Sequence, residues 1–348
     1  SQVFAFDFGG SIRAAALAMG GDWHDLGGGL TEGSETSVSL QPLARIHNTY
    51  ERAWAADWIV AILMREGVPI TPEVKEHVWT ALTSLASAPV DERTITGLTV
   101  LLQSNDLKQA IRPYCVGGPY GRLLDAEAEH LGSASVLVFE IEGLIGSGGA
   151  PAVLSYLFHR ISDRLDGSPT LLIIDEGWLA MDDPGFAAQL TQWLVTLRKK
   201  NASVIFATQS LAQIEKSTIA AEIVDSCHTR LLLPNDRAIE PQITAIYRRF
   251  GLNDRQIEIV ARATPKQDYY CQSRRGNRLF ELGLSDVGLA LCAASSKDDQ
   301  ALIASILAEH GRDGFLPAWL KARGASWAVD LLPNFPTLIT ETPKEAQS

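Results

Sequence analysis

The chain has 348 residues, 46% of them hydrophobic and 20% charged, with a formal charge of −11 at neutral pH. Such a composition is globular and long enough for one large domain with an insertion, or for two domains. It argues against a membrane-spanning helix, since no uncharged apolar run reaches about 18 residues, and the acidic balance argues against a non-specific DNA-binding face.

Basic clusters at Arg198, Lys199 and Lys200, at Arg248 and Arg249, and at Arg274, Arg275 and Arg278 are short. They read as solvated helix or turn surface, so any contact with DNA would be local. The four cysteines are widely spaced, without a CxxC pair or a histidine at metal-ligand spacing, and suggest free thiols rather than a zinc site.

The chain opens almost directly into Val3, Phe4, Ala5 and Phe6, which predicts a strand over 3–7 with no signal-peptide pattern before it. An opening inside a strand, without an initiator Met, leads us to expect a fragment of a longer protein. From about 45 to 130 the pattern is almost entirely helical. Tyr50, Trp54, Trp58 and Ile62 recur every fourth residue, and Thr71 and Pro72 start a second helix carrying Val78, Leu82 and Leu85. Tryptophans at this spacing read as core in preference to a partner-binding stripe.

Nearly continuous apolar runs predict further strands at 136–141, 170–175, 203–208 and 229–233, each covered on both faces as in a parallel sheet. Between them, a helix from Pro151 to Gly167 carries Leu154, Leu157, Phe158, Ile161 and Leu165 on one face. Another, with Asp183 as its cap and Pro184 in its first turn, carries Phe186, Leu190, Trp193, Leu194 and Leu197. Helices near 236–249 and 253–262 precede a hairpin with strands near 267–272 and 278–282, turning about Arg275, Gly276 and Asn277. From 285 the tail is helical, then proline-rich.

Alternation of short β runs with helices predicts an α/β fold with a mostly parallel sheet and helices on both faces. The boundaries are an opening core segment at 1–44, an inserted all-helical subdomain at 45–130, the remaining core at 131–284, and a helical tail at 285–348.

The strongest chemical signal is Leu171, Leu172, Ile173, Ile174, Asp175, Glu176: four aliphatics delivering two carboxylates to the carboxyl end of a strand, where ligands bind in doubly wound sheets. A hard cation bridging nucleotide phosphates needs a carboxylate, for which Asp175 is the candidate Mg2+ ligand. An attacking water needs a second one, the role expected of Glu176. The next strand, Val204 to Thr208, ends in Gln209, whose amide can bond both that water and the terminal phosphate of ATP.

Two glycine-rich turns are weaker candidates. Gly143 to Ala150 has phosphate-loop glycine spacing but carries Gly149 and Ala150 where Lys and Ser or Thr are required. Phe8, Gly9, Gly10, Ser11 could cradle an anion between a strand and a helix.

The run from Leu171 to Leu211, "LLIIDEGWLAMDDPGFAAQLTQWLVTLRKKNASVIFATQSL", resembles the Walker B to sensor region of the TrbE-type conjugal-transfer ATPases of the CagE/TrbE/VirB family. "VFAFDFGGS", "LQPLARI", "GGPYGRLLD" and "VLVFEIEGL" are similar to the same family, in order, so the resemblance covers most of the chain. It implies a RecA-like, P-loop NTPase-type motor with an inserted helical region. It also implies a homo-oligomer, as a hexamer, working with other type IV secretion components in the cytoplasm at the inner membrane. An oligomeric motor needs an arginine reaching the neighbour's phosphate, for which Arg198, Arg274 and Arg275 are the candidates.

One departure is plain: no G-x-x-x-x-G-K-[ST] occurs in the chain. In the family this loop lies shortly before the opening strand, so we expect it to precede Ser1 and the chain alone to hydrolyse ATP poorly. Two alternatives stand beside the secretion motor. One is a DNA-pumping ATPase of the FtsK or HerA kind; the other is a nucleotide-independent assembly module with a vestigial acidic pair.

Overall fold

A computed structural model of the protein describes residues 1–28, 38–176, 184–217 and 219–332. Its centre is a five-stranded, wholly parallel sheet made of β1 (Gln2–Asp7), β2 (Asp22–Asp25), β3 (Val136–Glu140), β4 (Thr170–Ile174) and β5 (Ala202–Phe206), in the order β2-β3-β1-β4-β5. The central strands are apolar because both faces are covered: Phe4, Ala5, Phe6, Leu137, Val138 and Phe139 are all buried.

The parallel sheet contains a strand that the sequence does not announce. β2 reads Asp-Trp-His-Asp, too short and too polar for an apolar run, and pairs with β3 only in three dimensions. Conversely, the run expected at 229–233 forms β6 (Arg230–Leu232) outside that sheet. It pairs antiparallel with β7 (Asp268–Ser273), which pairs with β8 (Gly276–Glu281) in a separate three-stranded sheet. Only one side of β6 is covered, Leu232 being buried and Leu231 exposed, and that one-sidedness separates it from the core strands. The β7–β8 turn is tighter than expected: Ser273 pairs with Gly276, leaving Arg274 and Arg275 alone at its tip.

Helices account for most of the remainder. The first, α1 (Arg13–Ala18), follows β1 but belongs elsewhere, as described below. Between β2 and β3 lie α2 (Thr49–Arg65), α3 (Pro72–Leu85), α4 (Ile95–Leu101), α5 (Asn105–Ile111) and α6 (Gly121–Leu124). Their starts are written locally. Asn48 accepts from the Tyr50 amide, Thr71 accepts from Val74 with Pro72 in the first turn, and Thr94 and Ser104 cap in the same way. The Trp58 indole donates to the Ala152 carbonyl at 3.0 Å, tying α2 to α7 (Ala150–Arg164). Trp58 is buried, Trp54 packs half-buried against it, and Tyr50 is exposed. Phe158 of α7 stacks on Phe6 of β1 and meets Trp193 of α8 (Pro184–Thr196), so both helices cover the sheet. Asp183, the expected cap of α8, lies outside the described residues.

After β5 come α9 (Leu211–Lys216) and α10 (Ala220–Ser226), and after β6 a 3-10 turn (Asp236–Ile239), α11 (Pro241–Arg249) and α12 (Asp254–Arg262). The single helix expected near 236–249 is interrupted because Pro241 cannot continue a helix through its missing amide.

Two compact units emerge from the chain's contacts. One takes Ser1–Gly10 and Gly21–Gly283; the other takes Ser11–Gly20 and the chain from Leu284 on. In the second, α1 packs with α13 (Asp286–Cys292), α14 (Lys297–His310) and α15 (Phe315–Ala322), followed by α16 (Ser326–Val329). Ala14 joins Ile303, Phe315 and Trp319 in its core, and the Trp319 indole donates to the Ala290 carbonyl at 3.0 Å. Ser11–Gly20, read from sequence as part of the opening core segment, therefore packs with helices from the other end of the chain. The proline-rich residues beyond 332 lie outside the described residues.

Candidate active site

Four of the parallel strands end in, or lead directly into, a carboxylate at the same edge. Asp7 of β1 stands in register beside Glu140 of β3, and Asp175 follows β4, its amide donating to the Phe6 carbonyl at 2.9 Å. Glu140, Asp7 and Asp175 thus form a row across the middle of the sheet, with Glu176 next along the chain. Asp7 is fully buried, and Glu140 and Glu176 are 7% and 5% exposed. Asp25 ends β2 on the outer side of Glu140.

Like charges packed without water raise one another's proton affinity. Burial, then the charges of Asp7 and Glu176, push the Asp175 carboxyl up, while the Glu176 amide bond opposes the shift. Burial pushes Glu140 up to about 7, with Asp7 adding and three backbone amides opposing. Repulsion within the row disfavours full ionisation of all its members.

Glu176 has a backbone φ of +48°, in the left-handed region that non-glycine residues rarely adopt, at a cost of roughly 1 kcal/mol or more. Its amide donates to Asp175 Oδ1 at 3.1 Å. Trp178, which follows the acidic pair, lies outside the described residues.

β5 is the parallel neighbour of β4, and the Ala207 amide donates to the Ile174 carbonyl at 2.9 Å. Gln209 therefore emerges, exposed, from the same edge of the sheet as Asp175 and Glu176, one strand away. The three residues singled out from sequence are brought together at one edge. The three arginines are not part of that cluster: Arg198 falls in the 3-10 turn Leu197–Lys200 before β5, its side chain outside the described ones, and Arg274 and Arg275 are exposed at the β7–β8 tip.

Neither glycine-rich turn offers a free anion cradle. The amides of Gly9 and Gly10 donate to Glu140 Oε1 at 3.1 Å and Oε2 at 2.5 Å, so a carboxylate of the chain itself fills that turn. In the run from 143 to 150, the amides of Leu144, Ile145, Ser147 and Ala150 donate to carbonyls within the same loop. The loop is shaped by close backbone passage instead: a Cβ on Gly27 would lie 2.5 Å from the Gly143 Cα. The Gly9–Gly10 turn is thus already filled by a carboxylate of the chain.

Asp7 and Glu140 are the members of the site that sequence reasoning missed. The signal was present, since "VFAFD" and "VLVFE" end in an acid just as "LLIIDE" does. That three acids end strands lying side by side was not.

A family model described as the TraG P-loop domain matches residues 99–274, half of the chain. The chain belongs to the TraG P-loop domain family. Membership agrees with the parallel-sheet α/β fold and makes this a nucleotide-binding family; the match spans β3, β4 and β5 and includes Glu140 and Asp175 but not Asp7 of β1. The chain is 40% identical over 333 residues to a protein of Sinorhizobium fredii described as a probable conjugal transfer protein TrbE, covering 95% of this chain and 50% of that one. It is 41% identical to the conjugal transfer protein TrbE of Rhizobium radiobacter, covering 96% of this chain and 41% of the relative. The chain thus spans about half the length of these relatives. The solved structure of VirB4 of Thermoanaerobacter pseudethanolicus shares the fold, with a TM-score of 0.63 at 16% identity over 82% of each chain.

Proposed function

We propose that this chain is the motor portion of an ATPase that energises conjugative DNA transfer through a type IV secretion system. The observation that carries the reading is the convergence of Asp175, Glu176 and Gln209 at the carboxyl edge of neighbouring parallel strands. Asp175 would hold Mg2+, with Asp7 in the neighbouring strand; Glu176 would orient and deprotonate the attacking water, and Gln209 would reach the terminal phosphate of ATP. When bound, Mg2+ would supply charge neutralisation for the nucleotide phosphates.

A phosphate-binding loop carried by a further strand would have a natural place beside this sheet. β2 and β5 are the edges of the parallel sheet, and strands are spaced by about 4.8 Å. A strand added beyond β5 would lie about 10 Å from β4, close enough for its loop to share a nucleotide with Asp175 and Gln209. Beyond β2 it would lie about 19 Å away. Ile205, 52% exposed on β5, supports the first arrangement, because an apolar residue on an edge strand is apt for burial by another strand. The relatives' additional length can supply that strand.

The motor works as a homo-oligomer, a hexamer, at the cytoplasmic face of the inner membrane with other secretion components. No helix among the described residues is long and apolar enough to cross a membrane. The exposed Arg274–Arg275 tip suits a cation donated to the neighbouring subunit's nucleotide, and Arg198 is the other candidate.

ATP turnover by the intact protein tests this reading. Glu176→Gln is expected to abolish turnover while ATP still binds. Mixing Glu176→Gln subunits with subunits carrying Arg274→Ala and Arg275→Ala should restore part of the activity, because each mixed interface can hold one intact set. Unchanged turnover in Glu176→Gln would remove the assignment.

A further inference from the structure

We propose that Glu140 is a positioning residue of this site: its carboxylate locks the Gly9–Gly10 turn, and the locked turn holds Asp7 beside Asp175. The inference rests on the motor reading above and adds a residue to it that touches neither nucleotide nor metal.

Gly9 and Gly10 have φ values of +90° and +68°, so consecutive amides of a left-handed turn point to one centre. A hydrogen-bond acceptor belongs at that centre, and Glu140 supplies both its oxygens from a strand 130 residues away. Oε1 accepts from Gly9 and from the Glu142 amide at 2.8 Å; Oε2 accepts from Gly10. All three donors are backbone, so the carboxylate ties the exits of β1 and β3 into one rigid edge.

Asp7 is the residue between this lock and the candidate chemistry. It pairs in register with Glu140 on one side, and on the other the Asp175 amide bonds the carbonyl of the preceding Phe6. The chain turns away immediately after Asp7. With the lock open, the two glycines are free to sample many conformations, and the turn no longer fixes the direction of the Asp7 side chain. An acid in the Asp175 row would then be out of place by enough to weaken cation positioning, which costs rate more than nucleotide affinity.

The test compares Glu140→Gln with Glu142→Gln in the intact protein, reading amide hydrogen exchange over residues 8–11 and steady-state ATP turnover. Glutamine keeps the size but must face one of the amides with its own NH2. Exchange at Gly9 and Gly10 is expected to rise at least ~tenfold, and kcat to fall ~tenfold with KM for ATP within ~twofold. Glu142→Gln, which alters only an exposed side chain, should move neither. If Glu140→Gln does not fold, Gly10→Ala opens the same turn from its other partner and is read in the same two assays. Unchanged exchange overturns the lock. Faster exchange with unchanged kcat, in a protein whose turnover Glu176→Gln abolishes, overturns the positioning role. Turnover that survives Glu176→Gln sinks the motor reading itself and the positioning role with it, while the exchange result shows separately whether the turn was locked.

Discussion

Replacing Glu140 by glutamine should remove a large pH dependence from the protein's stability. Burial and the Asp7 charge raise the Glu140 carboxyl from an ordinary 4.5 to about 7 in the folded state. Between those two values the folded protein holds a proton that the unfolded chain has released, so stability falls as pH rises. The contribution is fully present below pH 4.5 and is lost as pH passes 7. At about 1.4 kcal/mol per pH unit, the interval corresponds to about 3 kcal/mol. Asp175 is shifted in the same direction, whereas the exposed Asp166 and the half-buried Glu240 and Glu258 shift the other way. These other contributions are common to both proteins, so the difference between parent and variant isolates Glu140. Urea denaturation of both at pH 5, 6, 7 and 8 provides the measurement. The parent's advantage over Glu140→Gln should shrink by about 3 kcal/mol from the lowest pH to the highest. A pH-independent difference, or one that grows with pH, would refute the buried, acid-flanked environment on which the reasoning depends.

Other substitutions test separate parts of the molecule. Glu176→Gln in the intact protein should lower ATP turnover by at least ~10²-fold with binding retained, checked by steady-state rates and nucleotide titration. Arg274→Ala with Arg275→Ala should lower kcat by ~10³-fold or more if the hairpin tip reaches the neighbour, and an unchanged rate would leave Arg198 as the remaining candidate. Asp125→Ala should cost about 3 kcal/mol in urea denaturation, because the buried carboxylate accepts from the amides of Ile95, Thr96 and Val116 and from the Thr96 hydroxyl. Gly27→Ala should lower the melting temperature through a cost of about 1 to 3 kcal/mol, since the new methyl meets the Gly143 backbone; an unchanged Tm would mean that the two loops are free to part.

Much of the candidate site could be read from local sequence because its signals are local. Four aliphatics followed by Asp175 and Glu176 define a buried strand and its carboxyl end, and the spacing to Gln209 fits one intervening helix. Capping residues such as Asn48, Thr71 and Thr94 fix helix starts within three residues of themselves. The absence of a phosphate-loop lysine was equally legible, being a matter of residue identity alone.

Pairing was not legible, because it depends on residues far apart in the chain. The apolar run Leu231 to Leu233 looks like part of any buried parallel strand until its partner proves to be β7, and β2 has too little apolar character to be seen without β3 beside it. The same holds for chemistry. Sequence alone determined that Asp175 and Glu176 follow a buried strand, since that is written in consecutive residues. The tertiary structure decided that Asp7 and Glu140 stand in the row with Asp175, and that the Gly9–Gly10 cradle already holds a carboxylate, because electrostatic repulsion and hydrogen bonding act across space between strands more than a hundred residues apart.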